Sequence, residues 1–257
     1  MIKLIPNLVT LGGLFCGFIG LANLSQGNLF WAAWAIIAAA FLDLWDGMLA
    51  RALHAKSDIG AQLDSLCDLV NFGVLPSLIA VELFHRFAVD ETWFPHFKFG
   101  FSFSYGNVYT ISLLLFIYLA GAVLRLARFN VVNEVGFKGL PSPAAGIFMA
   151  GFPLVYLQGF HHLPISRELA EQVYSTGAGV MIGAMAIGIL MVLPIPLMSF
   201  KGLKPTLKSL FFPVLLALFA LVSIWQFGYF AIQLVVVFYV IVSLLQKIFF
   251  NEVSGGN

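Results

Sequence analysis

Charge is scarce in this sequence. Thirteen Lys and Arg and twelve Asp and Glu are spread over 257 residues, a charged fraction of 10% against 61% hydrophobic. Soluble domains carry about 25% charged residues, so a soluble globular protein is excluded. The mean hydropathy of +0.97 puts the chain in the polytopic membrane class. No basic patch with interleaved aromatics occurs, which argues against a nucleic-acid partner. Cysteine is rarer still: Cys16 and Cys67 stand alone inside apolar segments, without metal-ligand spacing, and read as buried reduced thiols. The N-terminal Met1-Ile2-Lys3-Leu4-Ile5-Pro6-Asn7 runs straight into an apolar stretch with no small-residue cleavage site, so a retained first span is expected. No internal repeat or low-complexity segment interrupts the chain.

What is present in quantity is apolar length. Crossing a bilayer takes about 20 apolar residues, and eight runs qualify or come close: 8–23, 28–53, 60–84, 107–129, 141–158, 174–197, 209–225 and 228–250. Turn residues separate them, as in Ser25-Gln26-Gly27-Asn28, Ser57-Asp58-Ile59-Gly60 and Gly139-Leu140-Pro141. The expected fold is all-α, a polytopic integral membrane protein of about eight transmembrane helices forming one membrane domain over 1–257. With both termini cytoplasmic, Lys3, Arg51, Lys56, Arg125, Arg128, Lys138, Lys201, Lys204, Lys208 and Lys247 fall on the cytoplasmic side, while Arg86, Lys98 and Arg167 face out. That asymmetry is the one the positive-inside rule predicts. The outer loops, around 85–106 and 159–173, carry Trp93, Phe94, Pro95, His96 and His161-His162, which read as interfacial anchors.

The few acids are not scattered. The chain reads Asp43-x-x-Asp46-Gly47-x-x-Ala50-Arg51, then eight residues, then Gly60-x-x-x-Asp64-x-x-x-Asp68. Spacings of three and four place Asp43, Asp46, Gly47 and Ala50 on one helix face, and Gly60, Asp64 and Asp68 on a face of the next. Two such faces meeting put four carboxylates in one pocket. Each costs about 2.5–3.5 kcal/mol at bilayer depth, on the order of 10 kcal/mol together if nothing neutralises them. Arg51 offsets one; a divalent cation offsets the rest. Oxygen ligands without nearby His or Cys select Mg²⁺, Mn²⁺ or Ca²⁺ over zinc. Gly47, Ala50 and Gly60 let a helix or a flat ring approach the backbone closely, and Arg51 offers donors matched to phosphate. A salt-bridge cluster that only orients helices is the plainer alternative, and one arginine against four aspartates disfavours it.

These eight positions resemble the signature of the CDP-alcohol phosphotransferase family. The resemblance implies a membrane enzyme, usually a homodimer, that moves a phosphatidyl or similar group from a CDP-linked donor to an alcohol and releases CMP. It implies Asp43, Asp46, Asp64 and Asp68 as metal ligands, Asp68 also as general base, and Asp43, Gly47, Ala50, Arg51 and Gly60 at the cytidine diphosphate. Ile5-Pro6-Asn7-Leu8-Val9-Thr10-Leu11, the stretch 60–76, Arg125-Leu126-Ala127-Arg128-Phe129-Asn130 and Phe137-Lys138-Gly139-Leu140-Pro141-Ser142-Pro143 are similar to the branch of that family that makes phosphatidylserine. The Met198-Ser199-Phe200-Lys201 stretch fits it more loosely. The expected substrates are then CDP-diacylglycerol, presented from membrane lipid, and L-serine. Residues 1–201 carry this catalytic region and 202–257 add two helices.

Cys67 and Asn71 depart from the branch, which usually has Ala and Ser there, so Asn71 joins the residues expected to shape the acceptor pocket. Serine also brings a carboxylate into the membrane, and Arg125 or Arg128, three apart on one face, is expected to meet it or a lipid phosphate. Asn7 is expected near the nucleotide or as a cap on the first helix. Two other functions remain: a sibling enzyme using choline, glycerol phosphate or inositol phosphate, and a divalent-metal transporter. Transporter sites usually lie at the midplane between repeats, whereas these acids cluster toward one face. The cytoplasmic (inner) membrane of a prokaryote, with the site facing the cytoplasm, is the expected location.

Overall fold

The computed structural model describes residues 4–55, 57–88, 108–131, 139–160, 163–165, 167–174, 177–195, 197 and 207–251. Among them every regular element is helical: α1 (Leu4–Ser25), α2 (Leu29–Ala52), α3 (Asp58–Asp68), α4 (Leu75–Ala88), α5 (Val108–Val131), α6 (Ser142–Gln158), α7 (Arg167–Tyr174), α8 (Gly177–Val192), α9 (Leu207–Phe227) and α10 (Phe230–Asn251). Each of the eight apolar runs carries helix. Ile5–Ser25, Leu29–Ala52 and Asp58–Arg86 are long and apolar enough to cross a membrane; α7 and α8, bent by 64° at their junction, make a fourth if taken as one span. The stretch expected as an outer loop at 159–173 contains α7, because Ala170 and Tyr174, one turn apart, are both buried. Trp93, Phe94, Pro95, His96, His161 and His162 lie outside the described residues, as does the Met198–Lys201 stretch.

Small side chains decide how the helices meet. A methyl group on Gly121 of α5 would lie 2.3 Å from the Gly188 carbonyl oxygen of α8, so these two helices cross backbone to backbone. Ala32, Ala33, Ile36 and Ala39 form the buried stripe of α2, and Phe72, Leu75, Ile79, Tyr118, Met149 and Leu154 complete the centre. The outside is as apolar as the inside. Phe15, Phe18, Phe41, Leu221 and Trp225 are all more than half exposed, as lipid-facing surface demands. Cys16 and Cys67 are free thiols, the first half-buried and the second buried.

Between α3 and α4 the helix does not stop but widens into a π-helical stretch, Leu69–Val74. Periodicity read 60–84 as a plain helix. The difference lies in a partner remote in sequence: the Tyr118 hydroxyl of α5 donates to the Phe72 carbonyl at 2.7 Å. One turn on, the Ser77 hydroxyl donates to the Gly73 carbonyl at 2.7 Å. Widened turns are common at functional sites, and this one begins at the residue after Asp68.

Tyr118 is fully buried, so Tyr118→Phe leaves the Phe72 carbonyl without that donor. The expected cost is about 1–3 kcal/mol of stability, seen as a lowered thermal midpoint in detergent. An unchanged midpoint would show that the widened turn holds without Tyr118.

Candidate active site

Asp43 and Asp46 sit in the last three turns of α2, and Asp64 and Asp68 in the second half of α3. The Ser57 hydroxyl starts α3 by accepting from the Gly60 N–H at 3.1 Å, the usual work of an N-cap serine. One carboxylate oxygen from each of Asp43, Asp64 and Asp68 falls within 4.8 Å of the others. They line a cavity of about 10 Å³ with Asp46, Thr10, Gly13, Ala39, Cys67 and Asn71. Asp46 is 6% exposed, lies beside Thr10, and keeps its Oδ2 buried without a hydrogen-bond partner. Three converging carboxylates and an orphaned fourth oxygen fit a divalent cation, in a donor set with no imidazole or thiolate among the three.

The remaining expected residues divide into two groups. Gly47 faces open space: a methyl there would meet only the Arg51 guanidinium, at 3.7 Å. Arg51 is exposed, and Ala50 is half-buried in the last turn of α2. Asn7 lies inside α1, which begins at Leu4, so it does not cap that helix; its Oδ1 instead stands against Gly60, 3.0 Å from where a Cβ would be. The N-terminal turns of α1 and α3 thus meet beside the cavity. Asn71, in the widened turn, is 2% exposed and lines the cavity, with its Oδ1 lacking a partner.

The arginines do not behave alike. Sequence spacing points to Arg51 as the local counter-charge; Arg125, remote in sequence, also lies within electrostatic reach of Asp68 and Asp43. It is 8% exposed, and its Nη1 donates to the Ser142 hydroxyl at 2.8 Å. That hydroxyl donates to Asp68 Oδ2 at 3.1 Å. Arg128, exposed, donates to the Val192 carbonyl at 2.9 Å and so closes the C-terminal end of α8. Ser65 ties α3 to α5 through Asn130 Oδ1 at 2.9 Å. Ser142 and the Ser65–Asn130 bond escape a reading by local spacing, since their partners are remote in sequence; the Thr10 hydroxyl, by contrast, donates to the Pro6 carbonyl one turn back at 3.0 Å.

The sequence profile described as CDP-alcohol phosphatidyltransferase matches residues 3–192. The chain belongs to the CDP-alcohol phosphatidyltransferase family. It is similar to a Bacillus subtilis protein at 33% identity over 158 residues, 59% of this chain and 76% of the relative. A Helicobacter pylori protein is 32% identical over 219 residues, 84% of this chain and 80% of the relative. A Methanocaldococcus jannaschii protein is 38% identical over 117 residues, 46% and 47% of the two chains. All three relatives are named CDP-diacylglycerol–serine O-phosphatidyltransferase. The match spans α1 to α8 and takes in every aspartate of the cavity.

Replacing Asp64 by Asn removes one charge from the converging three. Mn²⁺ affinity, read by electron paramagnetic resonance on the purified protein, is expected to fall at least about tenfold. An affinity equal to that of the unaltered protein would exclude the three carboxylates as a metal centre.

Proposed function

We propose that this chain transfers the phosphatidyl group of CDP-diacylglycerol to the hydroxyl of L-serine, giving phosphatidylserine and CMP. The observation that carries the reading is the convergence of Asp43, Asp64 and Asp68 in a family whose signature this chain fills. The names of the relatives supply the acceptor. Mg²⁺ or Mn²⁺ is the proposed ion, held by Asp43, Asp64 and Asp68 with Asp46 beside them. Bound there, it would neutralise charge on the diphosphate and on the departing CMP. Gly47, Ala50, Arg51 and Gly60 form the proposed bed for the cytidine diphosphate, with Asn7 at its edge. The open face at Gly47 leaves room for a flat ring, and the exposed Arg51 fork suits phosphate.

In this reading Asp68 takes the serine hydroxyl proton while the serine oxygen bonds to the lipid-side phosphorus. The bond from that phosphorus to CMP breaks, and the proton then passes to water. An alcohol is far too weak an acid to ionise first, so proton removal accompanies attack. Arg125 is the proposed partner of the serine carboxylate. A guanidinium has five donors, and this one stands a single hydroxyl away from Asp68. Arg128, engaged at the end of α8, is the proposed lipid-phosphate contact. Eight spans, read from the apolar runs, belong to the same proposal, as does a place in the cytoplasmic membrane; cytoplasmic termini and a site open to the cytoplasm are what the charge asymmetry of the loops favours. The homodimer, and the division into a catalytic region over 1–201 and two further helices, belong to the same reading and rest on family resemblance.

The test is CMP release by the purified protein in detergent with CDP-diacylglycerol and Mg²⁺ or Mn²⁺. L-serine, glycerol 3-phosphate, choline and inositol are supplied separately. Release that needs both serine and metal is expected; release with another alcohol would keep the site and discard serine. No release from folded protein would discard phosphotransfer altogether. Asp68→Asn is expected to lower turnover about 10²- to 10⁴-fold with CDP binding nearly unchanged. Arg125→Ala is expected to raise the KM for serine at least about tenfold, by loss of a charge-assisted hydrogen bond. A serine KM unmoved in Arg125→Ala would remove the assigned partner.

A further inference from the structure

Ser142 opens α6, and its hydroxyl does nothing for that helix. The cap position is Pro141, no side chain caps the helix end, and Pro143 follows at its second position. A serine at a helix start usually spends its hydroxyl on its own backbone. Here the hydroxyl reaches α5 and α3 instead, accepting from Arg125 Nη1 at 2.8 Å and donating to Asp68 Oδ2 at 3.1 Å. The direction of the second bond is forced, because a guanidinium has only donors. With Arg125 filling a lone pair of the Ser142 oxygen, the hydroxyl proton is left for the carboxylate. Ser142 is completely buried and Arg125 nearly so, so bulk water does not compete for the bond between them, and Asp68 is half-buried.

We infer that Ser142 is a positioning residue that fixes the rotation of the Asp68 carboxylate. It ties Oδ2 to Arg125 through its hydroxyl and leaves the other oxygen for the cavity shared with Asp43 and Asp64. The last torsion of an aspartate is broad and roughly two-fold, so the backbone of α3 does not set which oxygen faces the cavity; a fixed donor does. The hydroxyl also acts as a spacer. Without it, the Arg125 guanidinium is free to close directly on Asp68 and turn the carboxylate away from its neighbours. This inference rests on the reading of Asp43, Asp64 and Asp68 as a cation site serving transfer to serine.

The experiment uses the full-length protein in detergent with Ser142→Ala, Ser142→Cys and Ser142→Thr. Two quantities are read: Mn²⁺ affinity by electron paramagnetic resonance, and kcat and KM for serine from CMP release. Groups that orient a metal ligand typically contribute 10- to 100-fold to affinity or activity. Ser142→Ala is therefore expected to lose about 10- to 100-fold in Mn²⁺ affinity or kcat, whatever change in the serine KM the displaced Arg125 brings. Ser142→Thr, which keeps the hydroxyl, is expected to recover most of that loss. Should Ser142→Ala not fold, Ser142→Cys keeps the shape with only a weak donor and is expected to show the same loss. The inference is overturned if Mn²⁺ affinity and kcat both stay within about twofold in the variant without the hydroxyl. It is equally overturned if the threonine variant loses as much, or if the loss falls on the serine KM alone. Mn²⁺ binding needs no acceptor. If the unaltered protein proves inactive with serine, the functional reading fails while the metal arm still decides the role of Ser142.

Discussion

Like charges held together in a medium that screens them poorly set the terms for this fold. Two carboxylates about 4 Å apart repel by roughly 4 kcal/mol at an effective dielectric of 20. Three such pairs among Asp43, Asp64 and Asp68 come to on the order of 10 kcal/mol, comparable with the whole net stability of a typical domain. The protein offsets part of this itself. Arg125 brings one positive charge from α5, and Ser142 brings a hydroxyl from α6. Even with Arg51 counted beside Arg125, two guanidiniums among the described residues against three converging acids and a buried fourth leave a negative excess. A divalent cation is the ligand such an excess selects.

Holding α3 in place against that repulsion takes contacts from several sides. Ser57 fixes its first turn, Ser65 pins its middle to Asn130 on α5, and Asp68 is tied at its end to α6. From the opposite side α1 comes in close. A methyl on Gly17 would run into the Asn71 side-chain oxygen, so a larger residue there would have to push that side chain out of the widened turn. The widened turn is itself held by Tyr118 and Ser77, which engage the carbonyls of Phe72 and Gly73. Rigid placement of the acids thus draws on hydroxyl groups, three of which, those of Ser65, Tyr118 and Ser142, reach from one helix to another.

This division of labour explains what the sequence reveals. Asp43, Asp46, Asp64 and Asp68 are legible because helical periodicity is local: spacings of three and four fix a face without knowledge of the rest of the fold. The apolar runs are legible for the same reason, and each of the eight carries helix. Ser142 is not legible as a partner of Asp68, since the two are 74 positions apart and meet only when α3, α5 and α6 assemble. Nor is the widening after Asp68, which depends on a tyrosine hydroxyl 46 residues away. Arg51 draws attention from sequence because it adjoins the acids along the chain, yet Arg125 is the one tied into their hydrogen-bond network. The short helix α7 hides in a segment whose polar face looks like loop until the burial of Ala170 and Tyr174 is known.

The family profile stops at Val192, before α9 and α10, yet α10 is not a bystander to the site. It packs along α6, where the Gln233 side chain donates to the Phe148 carbonyl at 3.3 Å and shares a hydrogen bond with Tyr174. Further along, the buried Tyr239 comes within electrostatic reach of Arg125. The helix whose first residue touches Asp68 therefore packs against both α2 and α10. A helix free on one flank can rock by fractions of an ångström, and a hydrogen bond between two buried side chains is sensitive to shifts of that size. Packing α10 against α6 removes that freedom. It places the last helix of the chain among the elements that set the geometry of an aspartate near the start.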